Sequence, residues 1–185
     1  MERGNMIEII CYTGGTCGDL VTALIDSQGT YFRGKAVMLD QERLRFKKPH
    51  TFANDVEKDQ YLNEMSAKYR SIPSHDLQYH INRKHSFIGI TVTTWSSALK
   101  AAQRFKDLHR PHVWAEMTAA CGADSIESYA QIMIDFSKVV VQHTDKIITL
   151  ESIQQGTALD NPILQLASKN FYKNWSDLQN NSFIT

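Results

Sequence analysis

Residues Ile7–Ser27 read I-E-I-I-C-Y-T-G-G-T-C-G-D-L-V-T-A-L-I-D-S. Ile7, Ile9, Ile10 and Tyr12 form a short apolar run with a β-branched bias, the pattern of a strand. Gly14-Gly15 ends it. From Gly18-Asp19 onward Leu20, Val21, Leu24 and Ile25 recur at helical spacing, which predicts a helix directly after the turn. A strand that passes through a glycine turn into a helix aims the first amides of that helix into the space beyond the strand's carboxyl end. Those amides have no partner within the helix, and the helix dipole adds partial positive charge, so a phosphate or sulfate is stabilised there. The candidate anion contacts are Gly14, Gly15, Thr16, Cys17, Gly18 and Asp19. Glycine lets the main chain approach an anion and adopt positive φ. The stretch contains neither Gly-Lys-Ser/Thr nor G-x-G-x-x-G. A plain turn between strand and helix, with Asp19 as helix cap, is the competing reading of the same residues.

Outward from this stretch, Gly34–Leu39 is a candidate second strand. Gln41–His50 is a basic loop with Arg43, Arg45, Lys47 and Lys48 around Phe46, closed by Pro49. Asn54 is placed to cap a helix to about Arg70, with Val56, Tyr61 or Leu62, Met65 and Tyr69 inward; Pro73 is expected to break it. Ser74-His75-Asp76 opens a short polar connection. Ser86–Thr93 (S-F-I-G-I-T-V-T) is the best central strand, apolar enough for burial on both faces as in a parallel sheet. Helices follow at Trp95–His109, with Ala98, Ala101, Ala102, Phe105 and Leu108 inward, then at about Val113–Ala120. A longer one, capped by Asp124 or Ser125, runs to about His143. Lys146–Leu150 is a last short strand, and Asn161–Leu178 a C-terminal helical segment. Strands alternating with helices predict one α/β domain over residues 1–185, three-layered, with a mostly parallel sheet and helices on both faces. In that architecture ligands bind at the carboxyl ends of the strands, where the glycine turn lies.

A chain of 185 residues, 42% hydrophobic and 22% charged, has the composition of an ordinary globular domain. Its formal net charge is zero, so only local patches bear on nucleic acid. No apolar run approaches the roughly 18 residues that cross a bilayer, and M-E-R-G-N-M-I-E lacks the core of a signal peptide. A cytoplasmic protein without membrane contact is expected. Cys11, Cys17 and Cys121 form no C-x-x-C pair.

Five constellations bear on chemistry. His75-Asp76 is a candidate general base with an adjacent carboxylate to orient it; the alternative is a helix-capping Asp beside a solvated His. Cys17, near a helix start, has the position of an activated thiol. A thiolate phosphate loop needs an arginine about six residues on, where Ala23 stands instead. His50, His75, His80 and His85 match no metal-ligand spacing. Arg104 is the best placed cation to reach an anion in bidentate fashion. The Arg43–Lys48 loop suits a nucleic-acid backbone, or supplies the cation that the glycine turn lacks.

Together these pieces resemble P-loop-fold transferases related to sulfotransferases, in particular compact versions associated with bacteriophages. The resemblance rests on the order of T-G-G-T-C-G-D-L (Thr13–Leu20), S-H-D (Ser74–Asp76), A-A-Q-R-F (Ala101–Phe105), D-K-I-I-T-L-E-S-I (Asp145–Ile153) and F-Y-K-N-W (Phe171–Trp175). It implies a nucleotide donor, either ATP with magnesium or phosphoadenosine phosphosulfate, with its phosphate on Gly14–Asp19. The acceptor hydroxyl would lie near His75, with Asp76, Arg104 and Asp19 in the catalytic set. Asp19 stands where the family has Thr or Ser, and the family's loop Lys is absent. A phage kinase acting on a hydroxymethylated base in DNA is one member the resemblance implies, with Arg43, Arg45, Lys47 and Lys48 on the substrate. The T-G-G-T-x-G-D motif also resembles the first glycine loop of glycosyltransferases with two Rossmann-like halves, of which this chain would hold one. A binding protein that kept the fold without catalysis is the third reading.

Overall fold

The computed structural model describes residues 7–18, 21–22, 52–67, 69, 71–155 and 157. Asp19, the expected strand at 34–39, the basic loop with Arg43, Arg45, Lys47 and Lys48, His50 and the segment 161–178 lie outside the described residues.

Four strands, β1 (Glu8–Cys11), β2 (Ser71–Ser74), β3 (Phe87–Thr91) and β4 (Ile147–Thr149), form one sheet in the order β2-β1-β3-β4. Every pairing is parallel. With helices between the strands this is an α/β fold, as the alternating pattern predicted. The register sets Ile9 beside Ile72 and Phe87, so these side chains share a face. That face packs against Leu62, Met65, Leu77, Tyr79 and Val140. The alternate residues Ile10, Ile88, Ile90 and Ile148 are also at most 1% exposed, so the sheet is buried on both sides. Each such side chain contributes about 1.5–3 kcal/mol of hydrophobic stabilisation. On that second side Ser71 Oγ donates to the Thr22 carbonyl at 2.8 Å, which fixes the segment after the glycine turn against the sheet.

The helices start where side chains can satisfy free amides. Asn54 caps α1 (Asp55–Ser66), Asp76 caps α2 (Leu77–Asn82), and Thr94 caps α3 (Trp95–Leu108). Pro111 opens α4 (Pro111–Ala120) at a position where its missing N–H costs nothing. Ser125 and Ser128 form a reciprocal capping box on α5 (Ile126–His143), and α6 (Leu150–Gln155) follows β4 directly. α3 and α5 pack on each other through Ala98, Ala101, Ala102, Phe105, Tyr129, Ala130 and Met133. A Cβ on Gly89 would lie 2.1 Å from Val140 Cγ1, so α5 presses directly on β3.

Three local expectations need correction. Val56 is not inward but 73% exposed; Leu62 and Met65 carry the buried face of α1. Ser71–Ser74 is a strand rather than a helix break. The Ser74 carbonyl accepts from the Tyr12 amide, so the polar groups of Pro73, one residue back, point away from β1. A proline is tolerated at that position because β2 is the edge of the described sheet. The connection after Asp76 is helix α2, whose Leu77, Tyr79 and His80 are buried. Among the described residues no helix is long and apolar enough to cross a membrane.

Candidate functional site at the carboxyl edge of the sheet

From β1 the chain moves to β2 on one side, then returns to β3 on the other. The carboxyl ends of β1 and β3 therefore flank a point where successive connections diverge, the usual crevice for ligands in open parallel sheets. The turn Thr13–Gly18 occupies that position. Thr16 is fully buried and folds the turn inward: its hydroxyl and its amide both donate to the Thr13 carbonyl, at 2.7 and 3.2 Å. Gly15 has φ +88° and Cys17 φ +63°. Helical bonding begins with the Val21 amide on the Cys17 carbonyl at 3.0 Å. Among the described residues the amides of Gly15, Cys17 and Gly18 have no hydrogen-bond partner.

The glycines are required by the protein's own side chains. A Cβ on Gly14 would fall 2.5 Å from Phe105 Cζ and 2.7 Å from the Tyr129 hydroxyl, and one on Gly15 would fall 2.8 Å from the Ala101 carbonyl. On Gly18 it would enter the Tyr12 ring, 2.0 Å from Cγ. The turn is thus wedged between β1 and the α3–α5 pair. Phe105 and Tyr129 stack at 5.5 Å beneath it, and the buried Tyr129 hydroxyl donates to the Gly14 carbonyl at 3.3 Å.

Arg104, the cation expected to reach an anion, extends from α3 to this turn. Its Nη2 donates to the Gly15 carbonyl and to Cys17 Sγ, each at 3.2 Å. Burial pushes the Cys17 thiol up, and the guanidinium only partly offsets that. Cys17 is therefore a neutral thiol, consistent with the missing arginine of a thiolate loop. Cys11 is buried and also pushed up, first by burial and then by Asp76.

His75 follows β2 and lies over β1's end, its ring 4.3 Å from that of Tyr12. Its Nδ1 is 2.7 Å from the Tyr12 carbonyl. A carbonyl only accepts, so Nδ1 carries the proton, and in the neutral form of the ring the lone pair is on Nε2. The same Tyr12 ring touches Gly18, which joins His75 to the turn through one residue. Asp76 is engaged elsewhere. Its Oδ1 accepts from the Tyr79 amide at 3.2 Å, and its Oδ2 pairs with Lys58 Nζ at 2.7 Å, both side chains largely buried. The backbone carbonyl of Tyr12, rather than the Asp76 carboxylate, orients His75.

Glu151, at the start of α6, was not singled out on its own by the sequence. Its Oε1 accepts from the Thr93 and Thr94 amides beyond β3, at 3.0 and 3.1 Å. Its Oε2 is buried and accepts no hydrogen bond among the described residues. Burial pushes its carboxyl up, but its own amide and those of Thr93 and Thr94 outweigh this and hold it below the usual range. Ser137 Oγ on α5 accepts from the Val92 amide at 2.8 Å and ties the same end of β3 down. Glu151 and Tyr12 stood in quoted stretches without a role of their own, because the groups they act through are backbone groups distant in sequence.

The described residues contain no group of three or more His, Cys, Asp or Glu side chains arranged to hold a metal ion. No family model matches the chain, and no curated protein or solved structure is similar to it.

Proposed function

We propose that the chain is a transferase that takes a phosphoryl or sulfuryl group from a nucleotide donor and passes it to a hydroxyl, in the manner of P-loop-fold enzymes. The observation that carries this reading is the pairing of two features at the switch point of the sheet. Unpartnered amides at Gly15, Cys17 and Gly18 suit an anion. One residue away, through Tyr12, His75 keeps its Nδ1 proton on a carbonyl, the arrangement that in the neutral ring leaves Nε2 as the base. The turn amides would stabilise the charge that develops on the transferred group, and His75 Nε2 would take the acceptor's proton. Arg104 would keep the turn in shape through the Gly15 carbonyl, standing in structurally for a loop lysine. Magnesium, where ATP is the donor, would be held chiefly by the phosphates, with Glu151 Oε2 a buried carboxylate oxygen in want of a partner among the described residues. The acceptor, a hydroxymethylated base in DNA among the candidates, and a cytoplasmic setting belong to this proposal.

A second reading is favoured by the crowding at Gly14, Gly15 and Gly18. Glycines demanded by Phe105, Tyr129 and Tyr12 need no anion to explain them, and a binding module without catalysis would keep them too. The half-glycosyltransferase reading stays a third arm of the test. Thermal shift of the wild-type chain against ATP with magnesium, phosphoadenosine phosphate and several sugar nucleotides separates the three. A ligand that binds only the folded state raises its stability by RT ln(1 + [L]/Kd), about 2.7 kcal/mol at a hundredfold excess over Kd. Stabilisation by one adenine nucleotide, with group transfer abolished in His75→Ala, supports the transferase. Stabilisation by a sugar nucleotide supports the glycosyltransferase. Silence across the panel at millimolar ligand leaves the binding module.

A further inference from the structure

At the amino-terminal edge of the sheet, opposite the glycine turn, lies a pocket of about 440 Å³. Ile7 and Ile9 at the start of β1 and Leu62 of α1 give it an apolar wall, while Lys84, His85 and Lys146 bring basic groups to it. Glu8 is the one acid on the lining, and it pairs with Lys146 at 3.4 Å. Lys84 has no ion-pair partner among the described residues.

The backbone places Lys84 and His85 firmly. Helix α2 ends in a Schellman motif: the Lys84 amide donates to the Ile81 carbonyl and the His85 amide to the His80 carbonyl, both at 3.0 Å. The residue at the turning point normally is glycine, because φ is positive there. This chain has Lys84 at φ +55°. An ammonium stands where the backbone favours no side chain, beside a pocket with one apolar wall.

His85 connects the pocket to the interior. Its Nδ1 lies 3.1 Å from Nδ1 of the fully buried His80, whose Nε2 lies 2.8 Å from Ser74 Oγ. Ser74 Oγ also accepts from the Asp76 amide at 3.1 Å. The proton positions follow from satisfying every buried group. Ser74 is fully buried and has no other acceptor among the described residues, so its hydroxyl donates to His80 Nε2. His80 then carries its proton on Nδ1 and donates it to His85 Nδ1. The neutral His85 is left with its N–H on Nε2, which has no partner among the described residues. The reverse arrangement would orphan the Ser74 hydroxyl. Asp59, Arg83 and Lys84 are the charges around His85, with Lys58 and Asp76 beyond His80.

We infer that this pocket binds a small amphipathic monocarboxylate, its apolar body against Ile7, Ile9 and Leu62 and its carboxylate on Lys84 and the His85 Nε2–H. Donors without protein acceptors among the described residues on the basic side and an apolar wall on the other select that class of ligand. A bound carboxylate strengthens the tautomer already present, so binding tightens the line from His85 through His80 to Ser74 and the Asp76 cap. The inference does not depend on the transferase reading.

The full chain, labelled on histidine ring nitrogens, is titrated with hexanoate and separately with hexanol at pH 7. Saturable movement of the His85 ring signals with hexanoate, followed by His80 and absent with hexanol, is the expected result. Lys84→Ala should weaken hexanoate at least about fivefold, and Asn63→Trp, an exposed lining residue, should block the pocket without disturbing the core. The unliganded protein should show His80 protonated on Nδ1 and His85 on Nε2. No saturable movement up to about 10 mM, where a site with a Kd of about 1 mM would be roughly nine-tenths filled, overturns the site. So does an equal response to hexanol, or one untouched by both variants. The opposite tautomers overturn the line to Ser74.

Discussion

The two edges of the sheet are built on opposite terms. At the carboxyl edge the main chain itself is packed: Phe105, Tyr129, Tyr12 and the Ala101 carbonyl come so close to Gly14, Gly15 and Gly18 that no Cβ fits. At the amino edge side chains surround an open pocket, and the backbone at Lys84 takes the left-handed turn without glycine. One edge spends residue identity on backbone geometry, the other on side-chain chemistry. The contrast separates what a glycine-rich turn says about packing from what it says about ligands.

The largest effect tests whether the carboxyl edge is as tightly wedged as its distances imply. Gly18→Ala must displace the Tyr12 ring, and overpacking of that kind costs on the order of 3 kcal/mol. Because His75 rests on the same ring, its side-chain resonances should shift together with the loss in urea midpoint. An Ala variant that unfolds like wild type, with His75 undisturbed, would mean the turn relaxes freely and the comparison fails on that side.

The next effect tests the interior end of the pocket's histidine line. Burial, and then His85, lower the His80 ring to about 4; burial also lowers His85. An unfolded histidine titrates near 6.5. Below that pH the unfolded chain binds protons the folded chain refuses, so stability is full above about 6.5 and falls as the pH drops toward 4. At 1.36 kcal/mol per pH unit the loss by pH 4.5 is about 2–3 kcal/mol from His80 alone. Urea midpoints at pH 7 and 4.5, read beside the His80 ring titration by NMR, check this. A His80 ring that titrates near 6.5 would show that the buried line is not closed.

A smaller effect returns to the carboxyl edge. Tyr129→Phe keeps the stacking on Phe105 and removes only the hydroxyl bond to the Gly14 carbonyl, for an expected loss of about 1 kcal/mol. Nucleotide-induced stabilisation should survive that change if the turn amides hold the donor, since the hydroxyl contacts a carbonyl on the turn's packed side. Loss of ligand response in Tyr129→Phe would instead tie anion binding to the wedge itself.

The sequence told these two edges apart unevenly. Strand, turn and helix at Ile7–Thr22 were legible because glycines and apolar spacing record local backbone requirements. The central strand at Phe87–Thr91 and the helices at Trp95–Leu108 and Ile126–His143 were legible for the same reason. Arg104 was singled out as the cation to reach an anion; the structure sets it against the turn, where its partners are a carbonyl and a thiol. Ser71–Ser74 was hidden because S-I-P-S holds one aliphatic side chain and a proline, and only an edge position makes it a strand. Val56 was misplaced because α1 has little apolar asymmetry, so its inward face is chosen by what it meets, Leu77 and Tyr79 among others. The Tyr12 carbonyl under His75 and the Thr93 and Thr94 amides under Glu151 are backbone partners 63 and about 57 residues away, and no spacing rule reports those.

The smallest effect is the sharpest, because two helix ends in this protein share one geometry and differ in one residue. Helix α4 ends as α2 does, with the Gly122 amide on the Ala119 carbonyl and the Ala123 amide on the Thr118 carbonyl. Gly122 has φ +77° and nothing within 4 Å of where a Cβ would sit, so its glycine answers to φ alone. Gly122→Ala should therefore cost about 1 kcal/mol, the left-handed penalty of an L residue. Lys84→Gly removes the same penalty at α2 and should raise stability by about 0.5–1 kcal/mol, less what a glycine adds to the freedom of the unfolded chain. If Lys84 is there for its ammonium, that gain comes with weaker hexanoate binding. Urea midpoints of both variants, with the hexanoate titration repeated on Lys84→Gly, decide it. Were Lys84→Gly no more stable than wild type, the lysine would be at ease in its turn, and the strain that marks the amino edge as functional would be gone.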